Sequence, residues 1–169
     1  MNKITAYLSH TIRGKKGKTA SKEDMDENCE KAKKAANWLR ENIPDLELYV
    51  PAEHEDFVQL AYLEEYLTEQ QILAIDCKIL AQKTDFQIVL DEEGWRGGGI
   101  AVEIDAAINA SMSIFYMDKM DDTTLLLLNQ MIDEVLRMKQ SNLYRTATEL
   151  QIRAQQLRKQ AAELYDKEE

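Results

Sequence analysis

The strongest concentration of chemistry-bearing residues is the run Gly97-Gly98-Gly99 leading into Glu103. Three glycines let the backbone approach a ligand closely, and the start of the helix that follows offers unpaired N–H groups and a positive dipole end. A carboxylate about one turn into that helix is favoured as the anion, which suits a nucleophile and does not suit a general acid. The same position also reads as an ordinary glutamate near a helix start. The loop is no P-loop, since no GK[ST] follows, and it does not match GxGxxG.

Four more features could join it. Asp76 interrupts an apolar stretch, with Ile72–Ile75 before it and Ile79-Leu80 after it. It is either solvated on the polar side of its helix or held in a cleft with a raised pKa. Tyr7 lies on the first strand, two residues before its loop, where its hydroxyl is either satisfied in the core or available at the strand ends. Arg13, Lys15, Lys16 and Lys18 place four cations in six residues of an acidic chain. They form either a phosphate-sized anion site or a solvated loop. Neither His10 nor His54 has a carboxylate or metal-ligand pattern around it, and His10 is the better candidate because it lies in that strand-end loop. Cys29 and Cys77 have 47 residues between them and no CxxC or Cys/His cluster, so neither a disulfide framework nor a metal site is expected.

These residues need a scaffold. Ile4–Leu8 reads as a strand, followed by a polar loop through Lys18. A helix runs from about Ser21 to Asn42, because Met25, Cys29, Ala32, Ala36, Leu39 and Ile43 recur on one helical face. Ser21 with Asp24 resembles a capping box. Leu46–Val50 is a second strand stopped by Pro51. Residues 56–83 are helical in two pieces broken near Thr68, and Phe86–Leu90 and Met112–Met117 read as buried strands flanking a small-residue helix, Ile100–Ala110. The order β-α-β-αα-β-α-β-α predicts an α/β fold: a Rossmann-like or flavodoxin-like parallel sheet of four to five strands, with helices on both faces. In such sheets ligands bind beyond the carboxyl ends of the strands, so the loops after Leu8, Val50, Leu90 and Met117 are where chemistry is expected.

The 169 residues are 44% hydrophobic and 31% charged, with a net charge of −10, which fits one folded domain and excludes a disordered chain. An acidic balance argues against a nucleic-acid polymer or a membrane surface as partner. No apolar run approaches the length of a signal peptide core or a membrane span, so a cytoplasmic setting is expected. The charge is uneven: residues 1–136 carry 14 basic and 26 acidic residues, and 137–169 carry 7 and 5. Leu136, Leu143, Leu150, Leu157 and Leu164 recur every seven residues, with Ala147, Ala154 and Ala161 three residues before the last three. That heptad pattern predicts an α/β unit over 1–118 and a long helical extension over 119–169. The extension would be helical from about 123 to 165, either packed on its own sheet or joining subunits into a homo-oligomer.

Tyr7–Ile12 (YLSHTI), the IDCKIL segment around Asp76, the FQIVL strand and GGGIAVEIDAA at 97–107 together resemble the nucleoside 2-deoxyribosyltransferase-like superfamily, which includes deoxynucleoside 5′-monophosphate N-glycosidases. The resemblance spans roughly residues 3–117. It implies cleavage of an N-glycosidic bond in a small nucleoside or nucleotide, without a cofactor. Glu103 would be the nucleophile, Asp76 the acidic partner that handles the leaving base's proton, and Tyr7 the residue that positions Glu103. Two departures stand out. Gly97 occupies the place, six residues before the glutamate, where the family carries an Asp or a Ser that reads the 5′-end. Ser9-His10-Thr11 replaces a glycine-proline. Substrate contacts are therefore expected from Ser9, His10, Arg13, Arg96, Gly97, Gly98 and Gly99. A module that binds a nucleotide without turnover is the alternative, and an assembly protein whose tail matters most is a third.

Overall fold

The computed structural model describes residues 3–91, 94–141 and 151–152. Among the described residues the strands and α-helices follow in chain order: β1 (Ile4–Ser9), α1 (Lys22–Asn42), β2 (Leu46–Tyr49), α2 (Glu55–Leu63), α3 (Glu69–Lys83), β3 (Phe86–Leu90), α4 (Gly99–Asn109), β4 (Ser113–Met117) and α5 (Asp122–Gln140). Among the described residues the sheet has four strands, all parallel, in the order β2-β1-β3-β4, with the helices around it. The chain reverses its direction of sheet growth between β1 and β3. Their carboxyl ends therefore flank the crevice in which ligands of open α/β sheets bind.

Local signals account for most element boundaries. The Ser21 side chain accepts from the Asp24 N–H while Asp24 accepts from the Ser21 N–H, a complete capping box that starts α1. Thr68 and Gln71 do the same for α3, so the break in the 56–83 segment falls where the second start signal stands. Cys29, Ala32, Ala35, Ala36 and Leu39 form the buried stripe of α1. The loop after β1, expected to be irregular, contains 3₁₀ turns over Gly14–Thr19, reached through left-handed backbone at Gly14 and Gly17.

The strands differ in burial because of their place in the sheet. β3 is central, and Phe86, Gln87, Ile88 and Val89 are fully buried. β4 was expected to be equally buried, but it occupies one edge, and only Met117 of its five residues is buried, with Tyr116 exposed. Its apolar composition thus does not imply cover on both sides. One core cluster joins Tyr7 of β1, Leu80 of α3 and Ala107 of α4, so these two helices pack over the face of the sheet that carries Tyr7.

By compactness the chain forms two units, 1–131 and 132–169. The first contains the sheet and every site residue discussed below. Of the second, Ile132 and Val135 are buried, and α5 ends at Gln140. The remaining heptad positions, Leu143, Ala147, Leu150, Ala154, Leu157, Ala161 and Leu164, lie outside the described residues. No described helix is long and apolar enough to cross a membrane.

Candidate active site

Tyr7 and Ser9 alternate along β1 and therefore project from the same face of the sheet. Parallel pairing sets Tyr7 beside Gln87 and Ser9 beside Val89. α4 crosses this face, and its fifth residue, Glu103, reaches the Tyr7 hydroxyl: Tyr7 Oη donates to Glu103 Oε1 over 2.8 Å. Both side chains are buried, Tyr7 completely and Glu103 with 7% exposure. The second carboxylate oxygen, Oε2, is buried and has no hydrogen-bond partner. The hydrogen bond brings Tyr7 and Glu103, two of the sequence candidates, together.

The electrostatics differ from those expected of a helix start. Burial pushes the Glu103 carboxyl up to about 7; the Ser9 and Tyr7 hydroxyls hold it down, and the charge of Asp76 adds to the rise. The helix dipole was expected to favour the anion. Its influence fades beyond the first turn, and Glu103 lies past the turn formed by Gly99–Val102. Desolvation dominates instead. The Tyr7 phenol is raised far above its ordinary value by its own burial, then by Glu103 and Asp76, and it remains a hydrogen-bond donor.

Asp76, on α3, is partly exposed, and its charge is felt at Tyr7, Glu103, Tyr49 and Cys77. It therefore lies close enough to act electrostatically on the Tyr7–Glu103 pair. Cys77 contacts the Val102 carbonyl, tying α3 to α4 at this level. From Tyr7 a file of rings runs outward. Tyr49, at the end of β2, stacks on Tyr7 with centroids 5.5 Å apart, and exposed His54 stacks on Tyr49 at 5.2 Å.

The predicted substrate contacts take other partners. Ser9 is fully buried and accepts from Gln87 Nε2 over 2.6 Å. Arg13 donates to both carboxylate oxygens of Glu69, at 3.0 and 3.2 Å. Arg96 grips Asp91 Oδ2 through two nitrogens, at 2.8 and 2.6 Å, and lies over the Tyr116 ring at 3.9 Å. Its role in this structure is to fasten the loop after β3. Lys16 pairs with Asp24, so the basic cluster is partly neutralised within the chain. His10 is buried beside Cys29 of α1, with 3.9 Å between Nε2 and Sγ, and burial lowers it to about 4, so it is neutral at pH 7.

The glycine loop is shaped by Trp95. A Cβ on Gly97 would meet the indole at 2.6 Å, and one on Gly98 at 3.3 Å, where the backbone is also left-handed. The indole packed against Gly97 leaves no room there for a Cβ, and the positive φ favours glycine at Gly98. A cavity of about 330 Å³ opens at the ends of β1 and β3, walled by His10, Arg13, Lys15, Asp91 and Trp95 among others. Tyr7, Asp76 and Glu103 are not part of its wall. Among the described residues no group of three or more His, Cys, Asp or Glu side chains could hold a metal ion.

Four site residues were not anticipated. Gln87 could have been found as the one polar residue in FQIVL, and Asp91 and Tyr49 as residues at the carboxyl ends of strands. Trp95 had only its place in the glycine loop as a signal. Set against protein-family models, curated proteins and solved structures, the chain matches none of them.

Proposed function

We propose that the protein cleaves the N-glycosidic bond of a 2′-deoxynucleoside or its 5′-monophosphate, with Glu103 as nucleophile. The observation that carries this reading is the buried carboxylate of Glu103 held by the Tyr7 hydroxyl at 2.8 Å with its second oxygen unengaged. That oxygen attacks the anomeric carbon. The bond from that carbon to the base nitrogen breaks, its electron pair leaves with the base, and Asp76 supplies the proton. Water, deprotonated by Asp76, then attacks the same carbon and frees Glu103, giving hydrolysis. A second base in place of water gives exchange. No cofactor is required.

The pH dependence follows from the role. A nucleophile must be ionised, so activity rises with pH through about 7, the value to which burial pushes Glu103. A general acid would show the opposite limb. In the same reading the heptads from Leu136 to Leu164 form a long helix that pairs with a second copy, and the setting is cytoplasmic.

The raised Glu103 carboxyl also favours a second reading, a protein that binds a nucleotide without turnover, because a substantial fraction is protonated at neutral pH. Incubation with deoxynucleosides and their monophosphates, followed by chromatography for free base and a thermal-shift measurement, separates the two. Base release supports the enzyme. A thermal shift without release supports binding, and neither effect rejects both.

A further inference from the structure

Gln87 is fully buried in the central strand, a position where the neighbouring side chains Phe86, Ile88 and Val89 are all apolar. A buried amide costs stability unless its hydrogen bonds are made. One is made, from Nε2 to Ser9 Oγ at 2.6 Å, while Gln87 Oε1 has no partner. The bond constrains the Ser9 hydroxyl. A serine oxygen carries one proton and two acceptor sites, and the amide N–H fills an acceptor site, so the proton must point elsewhere. Ser9 shares its face of β1 with Tyr7, which already donates to one oxygen of Glu103, and Glu103 Oε2 is the buried acceptor left over.

We infer that Gln87 is a positioning residue: by donating to Ser9 Oγ it leaves the Ser9 proton to turn toward the Glu103 carboxyl, so that two hydroxyls, of Ser9 and Tyr7, face that group. The polar chain Gln87–Ser9–Glu103–Tyr7 begins and ends within one paired register of β1 and β3, since Tyr7 and Gln87 are partners in the ladder. Such a pair of hydroxyls holds the carboxylate as an acceptor in a place where burial alone would protonate it. The downward pull of Ser9 on the Glu103 carboxyl agrees with this direction of the bond. The inference concerns the state of Glu103 and stands whether or not the chain cleaves a glycosidic bond.

The test follows the titration of Glu103 by NMR in protein carrying ¹³C-carboxyl glutamate, with the resonance assigned by its loss in Glu103→Gln. Ser9→Ala removes one donor and should raise the midpoint by about one pH unit. Gln87→Met removes the group that aims Ser9 and should give a smaller rise in the same direction, with no additional rise in the Ser9→Ala background. A fall on Gln87→Met would overturn the inference, because it would mean that Gln87 had been drawing the Ser9 proton to itself. An unchanged midpoint in Ser9→Ala, or an equal Gln87→Met effect with and without Ser9, would also overturn it. Should Gln87→Met not fold, Gln87→Asn, one methylene too short to reach, tests the same sign.

Discussion

Replacing Glu103 with glutamine should stabilise the protein, and only where the carboxylate would be charged. The folded carboxyl sits at about 7 against an ordinary 4.5. Between those values the unfolded chain has released the proton that the folded chain still holds, so stability falls as pH rises across this window and is level above it. The difference of about 2.5 pH units, at about 1.36 kcal/mol each, amounts to about 3 kcal/mol by pH 8. Glutamine keeps an oxygen for the Tyr7 hydroxyl and carries no charge to desolvate. Urea unfolding of wild type and Glu103→Gln should agree within about 1 kcal/mol at pH 5 and differ by about 2–3 kcal/mol in favour of the variant at pH 8. For a domain of this size the higher pH should show a gain of roughly 5–10 °C in Tm. A variant no more stable than wild type at pH 8, or a difference that does not change with pH, would refute the reasoning. Such a gain on removing the charged group is the stability–activity conflict expected of a functional carboxylate.

Tyr7→Phe removes the donor at 2.8 Å from Glu103 Oε1; a hydrogen bond to a charged group is worth about 1.5–3 kcal/mol, so base release should slow roughly 10- to 100-fold and its rising limb should move to higher pH. Gly97→Ala sets a Cβ 2.6 Å from the Trp95 ring; overpacking of this kind costs about 1–3 kcal/mol, and indole fluorescence in a Trp38→Phe background should report the displaced ring. Arg96→Ala leaves the buried Asp91 carboxylate without its partner; the protein should melt lower, and Asp91→Asn added to it should restore part of the loss.

How much of this was legible in the sequence depends on the kind of signal. The capping residues Ser21 and Thr68 and the stripe on α1 report local physics, and the elements they predict are found with boundaries displaced by one or two residues. The parallel sheet followed from alternation of elements alone. The exposure of β4 was not legible, because an apolar run carries no mark of whether its strand is central or at an edge. Tyr7, Asp76 and Glu103 were readable as candidates, yet the sign of the Glu103 shift was not. The dipole is a property of the helix itself, whereas the desolvation that outweighs it arises from tertiary burial, which spacing does not encode. Arg13 and Arg96 were legible as cations near strand ends, but their pairing with Glu69 and Asp91 depends on tertiary contacts that spacing does not encode.

In the proposed reaction the ionised Glu103 carboxylate breaks the glycosidic bond. The most direct measurement compares wild type and Glu103→Ala at pH 8, both verified as folded by circular dichroism, for release of free base from the panel of 2′-deoxynucleosides and 5′-monophosphates. Wild type should release base increasingly as pH rises through about 7, and the variant should release none. Release that Glu103→Ala retains in full, or that falls with pH through the same range, would contradict the proposed reaction.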